Sequence, residues 1–166
     1  MGIIRVKIEW EGEIFEFEGK PEEILLEIER FISKFIPTLS IAKKLQISLD
    51  LRDIAEIISP IIRISGGEII FAKDVPKMSL SDKILAVLTA KKLLYLMGET
   101  KEDSLTLKEI SELTSSSRKS SSSRLSELYS QRMVEKTKVG KVRYKVSING
   151  IIHLKRKIEK LFGRVA

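Results

Sequence analysis

The 166-residue sequence contains no cysteine, one histidine, one tryptophan, one asparagine and two glutamines. Without cysteine, the chain can form neither a disulfide framework nor a metal site with thiolate ligands. Isoleucine, lysine and glutamate are abundant instead, a composition typical of proteins from hyperthermophiles. The length predicts one ordinary domain or two small ones.

Long apolar runs are also missing from the sequence. No segment is long and apolar enough to cross a bilayer, and the first residues show a strand-like alternation instead of a signal peptide. We therefore expect a soluble, cytoplasmic protein without a membrane partner.

Residues that commonly carry catalysis are scarce. His153 is the only histidine, and it falls on a basic amphipathic segment where a surface position is more common than a role as base or ligand. The many serines lack a histidine or another suitably placed base to activate them. Gly66-Gly67 precedes a strand-like run, whereas a phosphate-binding loop requires a helix N-terminus. The sequence predicts no enzyme, no cofactor and no metal site.

Positive charge is concentrated in the C-terminal part of the chain. Residues 101–166 contain 16 Lys and Arg against 7 Asp and Glu, a net charge of +9, whereas residues 1–100 carry −2. Within residues 114–145, nine basic residues are opposed only by Glu127 and Glu135. A surface of one sign usually faces a polyanion, and a merely solvated basic face is the alternative.

The N-terminal residues predict a β-hairpin whose register can be worked out from a two-residue turn at Glu11-Gly12. In this register one face is mostly apolar and the other pairs opposite charges, so a shift by one residue would destroy both patterns. The expected pairs are Val6–Phe17, Ile8–Phe15, Trp10–Glu13, Arg5–Glu18 and Lys7–Glu16. We expect the aromatic residues of this hairpin to pack in a core in preference to stacking on nucleobases.

A helix is predicted from Pro21 to Pro37, and broken helical patterns follow at residues 40–46 and 50–59. Two β-branched runs around Gly66-Gly67 predict a second hairpin. We place the domain boundary near Pro76, which gives an α+β domain over residues 1–76, of unknown role, and a second domain over residues 77–166.

The second domain begins with a long helix over residues 81–97, whose apolar residues cover more than one face. Such a helix must be buried between partners, here the two domains or a second subunit. We expect a homodimer, because this helix has more apolar surface than a single neighbouring domain would easily cover, and the last helix adds Ile151, Leu154 and Ile158. The N-terminal domain is a candidate for binding a ligand or a protein partner.

Residues 106–131 show the pattern of two short helices joined by a turn. Thr106 can cap the first helix, and Ser117 can cap a second helix that buries Ser121, Leu125 and Leu128. Two β-prone segments within residues 133–148 predict a hairpin, and a narrow apolar stripe predicts a last helix over residues 150–162. With a two-residue turn in this hairpin, like charges would face each other in the pairs Lys138–Lys141 and Lys136–Arg143.

The run LKEISELTSSSRKSSSSRLSELYSQRMVEKTKVGKVRYKVSINGI resembles the winged helix-turn-helix domains of bacterial and archaeal transcriptional regulators. The features that carry the resemblance are the EISELT helix, the RLSEL run, the MVEK entry to the wing and the RYKV return strand. The resemblance implies a helix-turn-helix over residues 106–131 with residues 118–131 as its recognition helix, a wing over residues 133–148, and a regulator that binds double-stranded DNA.

The resemblance also implies which side chains meet DNA. Arginine can fork onto guanine and serine can serve any base, while the lysines of a wing hold phosphates. The implied contact residues are Arg118, Lys119, Ser120, Ser122, Ser123, Arg124, Lys136, Lys138, Lys141, Arg143 and Lys145.

Three residues depart from the usual pattern of these domains. Ser116 and Ser121 stand at positions that are commonly apolar, and Arg132 stands where a glycine often closes the recognition helix. An alternative interpretation of residues 115–123, seven of which are serines, is a flexible linker. These departures keep two other functions open: a protein–protein adaptor that no longer reads DNA, and an RNA-binding or single-stranded-DNA-binding protein.

Overall fold

A computed structural model describes residues 2–10, 12–35, 49–73, 75, 77–137 and 140–163. The described residues form six helices and seven strands in small antiparallel sheets, so the expected α+β class is confirmed. The contacts divide the chain into two units, residues 1–48 and residues 49–166.

The first unit contains strand β1 (Ile4–Trp10), strand β2 (Glu13–Gly19) and helix α1 (Pro21–Phe35). The five predicted cross-strand pairs are confirmed, and Arg5 donates from Nε to Glu18 over 2.8 Å. The ring of Phe31 lies 4.6 Å from that of Phe15 and 5.7 Å from that of Phe17, centre to centre. Phe15 and Phe17 therefore pack against α1, as predicted. The prediction is wrong for Trp10, which is exposed near the end of β1. The helix predicted over residues 40–46 lies outside the described residues.

The second unit begins with helix α2 (Leu51–Ile58), strand β3 (Ile62–Ser65) and strand β4 (Glu68–Phe71). Asp50 and Asp53 form a capping box at the start of α2. Strands β3 and β4 pair around Gly66 and Gly67, both of which have positive φ angles. The predicted helix and hairpin are both confirmed. Both contribute apolar side chains to the core of this unit.

Helix α3 (Leu80–Leu96) is the centre of the second unit. Ser79 caps it by accepting a hydrogen bond from the backbone of Asp82, and Ile84, Leu85 and Leu88 are completely buried. Within the second unit, α3 is covered on one side by α2 and the β3–β4 hairpin and elsewhere by the elements that follow it in the chain. The boundary predicted near Pro76 therefore has to move to residue 48, because residues 49–75 supply part of the cover that an all-round apolar helix requires. For the same reason, the buried faces of α3 are no argument for a second subunit.

The rest of the unit contains strand β5 (Leu105–Thr106), helices α4 (Leu107–Leu113) and α5 (Arg118–Ser130), strands β6 (Val134–Thr137) and β7 (Arg143–Val146), and helix α6 (Ile148–Phe162). Each helix and strand predicted in this part of the chain is present within two residues of its expected bounds. Strand β5 is an additional element that the sequence did not predict. The three strands form one antiparallel sheet in the order β5-β7-β6. The short strand β5 thereby joins the start of α4 to the hairpin.

The predicted register of the β6–β7 hairpin is wrong by one residue. Lys136 pairs with Tyr144 and not with Arg143, and Arg143 pairs with Thr137. The observed register places Val134 opposite Val146, and both are buried. Burial of this apolar pair therefore determines the register, and the connection between the strands is longer than the predicted two-residue turn. Lys138, which was expected opposite Lys141, lies outside the described residues.

Candidate nucleic-acid interface

The turn between α4 and α5 is held by backbone hydrogen bonds that fix where α5 begins. Thr106 and Glu109 form a capping box at the start of α4. At its end Ser115 has a left-handed φ of 51°, and the N–H of Ser116 donates to the carbonyl of Ser111 over 2.9 Å. These bonds satisfy the last carbonyls of α4 and direct the chain into α5.

A chain of three hydroxyl groups, two of them buried and that of Ser116 half-buried, supports the same turn. The hydroxyl of Thr114 donates to the carbonyl of Ile110 and lies 2.8 Å from the hydroxyl of Ser116, which in turn lies 2.6 Å from that of Ser121. Ser121 is 0% exposed, so its hydroxyl would be costly without a partner. The serines at these two unusual positions are thus satisfied by each other. Helix α5 runs through residues 118–123, which contradicts the interpretation of this segment as a linker.

The first turn of α5 presents two cations to solvent. Ser117 caps the helix by accepting from the backbone of Ser120, and Arg118 and Lys119 follow immediately and are exposed. Helices α1 to α4 all carry acidic residues in their first turn, where they suit the positive end of the helix dipole. In α5 this preference is reversed, although cations at this end are unfavourable for the free helix.

The two cations of this turn have no partner within the described part of the chain, since neither Arg118 nor Lys119 makes a hydrogen bond or ion pair there. The same holds for the hydroxyls of Ser122 and Ser123. Ser120 differs, because its hydroxyl lies 2.8 Å from that of Ser117. The outward face of α5 thus offers free donors for an anion.

Arg124 stands apart from this exposed face. Its guanidinium donates to both carboxylate oxygens of Glu127, at 2.9 and 2.7 Å. The face that buries Leu125 and Leu128 separates Arg124 from Arg118 around the helix. Of the predicted contact residues of α5, Arg124 is therefore the one whose charge is already compensated.

The hairpin cations divide into paired and unpaired residues. Arg143 is only 22% exposed and points toward β5, where it donates to the hydroxyl and the carbonyl of Ser104 and forms a 2.8 Å ion pair with Glu102. Lys145 lies 3.3 Å from the carboxylate of Glu135 in the adjacent strand. Lys136 and Lys141 are exposed and have no carboxylate partner among the described residues.

The carboxylate of Glu109 lies at the junction of α4, β5 and β7. Burial would by itself raise the pKa of Glu109, but hydrogen bonds from the N–H and hydroxyl of Thr106 and the charges of Arg143 and Lys91 together lower the pKa below its ordinary value. Glu109 is therefore favoured as a carboxylate, and its interaction with Arg143 links α4 to strand β7 of the hairpin.

Sequence reasoning missed Tyr129, an exposed aromatic residue in the last turn of α5. The ammonium of Lys136 lies 4.4 Å from the centre of its ring and 6.0 Å from the ring of Tyr144. Helical spacing offered a signal, because residues 118, 122 and 129 fall on one side of α5.

The described part of the chain contains neither a metal-binding cluster nor a membrane-spanning helix. No three His, Asp or Glu side chains there are placed to hold a metal ion. None of its helices is long and apolar enough to cross a membrane. Comparison with protein-family models, with curated proteins and with solved structures finds no match to this chain.

Proposed function

We propose that residues 80–162 form a winged helix-turn-helix that binds double-stranded DNA, with α5 as the recognition helix in the major groove. The order of the elements supports this proposal: a supporting helix, a helix–turn–helix pair, a two-stranded hairpin and a third short strand beside it. In such domains the N-terminal residues of the second helix of the pair contact base edges.

One observation carries the proposal. Arg118 and Lys119 are exposed cations at the positive end of α5 and have no partner among the described residues. Such an arrangement is unfavourable for the free protein and becomes favourable when a polyanion lies against it. Arg118 is suited to a forked contact with guanine, and the exposed Ser122 and Ser123 are suited to contacts with base edges.

The hairpin supplies the second part of the proposed interface. Lys136 and Lys141 are the residues we assign to backbone phosphates, together with Lys138, which lies outside the described residues. Arg143 and Lys145 are engaged in ion pairs with Glu102 and Glu135, so we assign them to holding the hairpin in place.

A titration of the full chain tests the proposal. Fluorescence anisotropy is measured with labelled duplex DNA and with a labelled single strand over a series of salt concentrations. The duplex should bind more tightly than the single strand, and log Kd should rise with log salt with a slope of several, because each neutralised phosphate releases a counterion. Absence of duplex binding at low salt would contradict the proposal and favour a protein–protein adaptor that no longer reads DNA. Preference for the single strand would favour an RNA-binding or single-stranded-DNA-binding protein.

Arg118→Ala tests base reading within the same assay. We expect a loss of about 1–3 kcal/mol in binding free energy on the preferred sequence and reduced discrimination between sequences. Arg124→Ala is the matched control, because it removes an arginine that is already paired with Glu127 on the same helix. An equal loss on every sequence would assign Arg118 to phosphate contact.

We further propose that the protein acts as a transcriptional regulator and binds DNA as a homodimer. Two-fold DNA sites match two-fold proteins, and Tyr95, Leu96 and Met97 leave an exposed apolar end on α3. Light scattering at micromolar concentration should give twice the 18.9 kDa mass of one chain. A monomer mass would contradict the dimer but not DNA binding.

A further inference from the structure

Lys136 is held between two tyrosine rings at the junction of α5 and the hairpin. It stands opposite Tyr144 in the β6–β7 pair, and its ammonium lies nearer to Tyr129, 4.4 Å from the ring centre. Tyr129 is 48% exposed and Lys136 is exposed, so the cluster lies at the surface. The ammonium is thus fixed where solvent, or a ligand, can reach it.

The manner in which Lys136 is held distinguishes it from the other hairpin cations. Arg143 and Lys145 are held by carboxylates, which cancel their charge. An aromatic ring attracts an ammonium through its quadrupole and carries no net charge, so the positive charge of Lys136 is preserved. A cation that is ordered but not neutralised loses less side-chain entropy when an anion binds.

The position of Tyr129 along α5 suggests which anion this would be. Tyr129 lies eleven residues after Arg118 on the same side of the helix, about 16 Å farther along its axis. The major groove is about 12 Å wide, and the N-terminal end of a recognition helix reads its bases. With Arg118 at the base edges, the far end of α5 therefore reaches the border of the groove, where the phosphates lie.

We infer that Tyr129 and Lys136 form a preorganised contact for a phosphate of the DNA backbone. In this contact Lys136 is the phosphate ligand, and Tyr129 is a positioning residue that holds its ammonium in place. The inference rests on the proposed function and adds Tyr129 to the interface. It also predicts that this contact is independent of base sequence, because only the backbone is touched.

Anisotropy of the full chain with a labelled mixed-sequence duplex tests the contact. Lys136→Met should weaken binding roughly fivefold to tenfold near 0.1 M salt and lower the log–log salt slope by about one, the effect of one lost phosphate contact. Tyr129→Leu should weaken binding about twofold to fourfold, the range of an exposed cation–π interaction. Tyr129→Phe retains the ring and should bind like the unaltered chain.

Two controls separate this contact from general effects of charge and packing. Lys145→Met removes the same charge from the same hairpin, at a residue already paired with Glu135, and should leave the salt slope unchanged. In the double variant, Tyr129→Leu should add no further loss to Lys136→Met, since the ring acts through the ammonium. Thermal unfolding of each variant checks that the fold is intact.

The outcomes distinguish the inference from the proposed function. If the unaltered chain binds duplex and Lys136→Met retains the full salt slope, the inference is overturned and the proposed function stands. Additive losses in the double variant would overturn the role of Tyr129. If the unaltered chain does not bind duplex at low salt, both the proposed function and the inference are overturned.

Discussion

Arg132 and Ser115 hold φ angles of 57° and 51°, in the left-handed region that favours glycine. Each follows the end of a helix: Arg132 follows α5, and Ser115 follows α4. After Arg132, the N–H of Met133 donates to the carbonyl of Leu128 over 2.9 Å, so the left-handed residue is required to close the last turn. Because both residues have a Cβ atom, each closure is made at a cost in free energy.

Arg132→Gly should therefore stabilise the protein. The expected gain in the free energy of unfolding is about 1 kcal/mol, since glycine adopts this conformation without steric penalty. Denaturant unfolding of the full chain measures it. Arg132→Ala is the control: it removes the same charge but keeps the Cβ atom, so an equal gain in both variants would show that charge and not backbone conformation is responsible.

Gly150, in the first turn of α6, presents the opposite case. A Cβ atom at this position would overlap the carbonyl oxygen of Met133 and lie 2.9 Å from a methyl group of Val146. That carbonyl also accepts the N–H of Ser147 over 3.0 Å. The absence of a side chain lets α6 approach the β6–β7 hairpin, so this glycine serves packing and not a turn.

We predict that Gly150→Ala destabilises the protein by about 2 kcal/mol, the usual scale of overpacking, although alanine ordinarily favours a helix over glycine. Asn149→Ala is the matched control, because Asn149 is exposed in the same helical turn. The control should change the free energy of unfolding by less than about 0.5 kcal/mol. If both variants have equal stability, the close approach of α6 to the hairpin would be contradicted.

At the scale of elements, Glu109 and Arg143 join α4, β5 and β7. Glu109 accepts from Thr106 and lies 3.7 Å from Arg143, and its pKa is lowered in the folded protein. A carboxyl group with a lowered folded pKa contributes stability that is present above its ordinary pKa, about 4.3 for glutamate, and is lost as pH falls through the lowered pKa.

Glu109→Gln should consequently be less stable than the unaltered chain near neutral pH, and the difference should shrink as pH falls below about 4.3. The free energy of unfolding, measured between neutral and acidic pH, gives this difference directly. Glu112→Gln, at an exposed position of the same helix, controls for the loss of a carboxylate. A difference that stays constant down to acidic pH would show that Glu109 contributes by packing alone.

The registers of two hairpins differ in how well the sequence predicts them. In β1–β2, apolar alternation and opposite charges both specify the same register, and it was predicted correctly. In β6–β7 a two-residue turn at Val139-Gly140 predicts a register one residue away from the observed one. The pairs Val134–Val146 and Glu135–Lys145 carried the signal that the first hairpin had supplied. Strand β5 had no such signal, because its partner in β7 lies almost forty residues farther on.

The candidate site was predictable to a similar degree. Helix α5, its Ser117 cap and its buried residues Ser121, Leu125 and Leu128 follow from local spacing. Which cations are already paired does not, because Arg143 meets Ser104 and Glu102 only through the sheet. The mutual satisfaction of Ser116 and Ser121 likewise depends on the angle between two helices, which spacing along the chain does not contain.

At the scale of the whole molecule, the boundary between the two units is determined by the residues that pack around α3. The proline and the charged residues within residues 73–77 are typical of a linker, yet the core includes residues on both sides of this segment. Ile54 and Ile61, upstream of it, are completely buried in the same cluster as Ile84 and Leu88. A boundary drawn at Pro76 would therefore cut through a core.

This division gives a test with two truncated chains. Residues 49–166 should unfold cooperatively by themselves, because they contain all of the α3 core. Residues 77–166 should not, because they lack five buried isoleucines, namely Ile54, Ile57, Ile58, Ile61 and Ile62. Burial of each is worth about 1.5–3 kcal/mol, so their loss is comparable with the total stability of about 5–15 kcal/mol that a domain possesses.

Circular dichroism during thermal unfolding distinguishes the two fragments, and duplex anisotropy adds a functional readout. The longer fragment should show one sharp transition and should retain the salt-dependent duplex binding proposed for the full chain, since every assigned contact lies within residues 118–141. The shorter fragment contains the same contacts on an uncovered α3, so it should melt broadly and bind with reduced affinity. If the shorter fragment melted as sharply and at the same temperature as the longer one, α2 and the β3–β4 hairpin would not belong to the core, and the boundary at residue 76 would be restored.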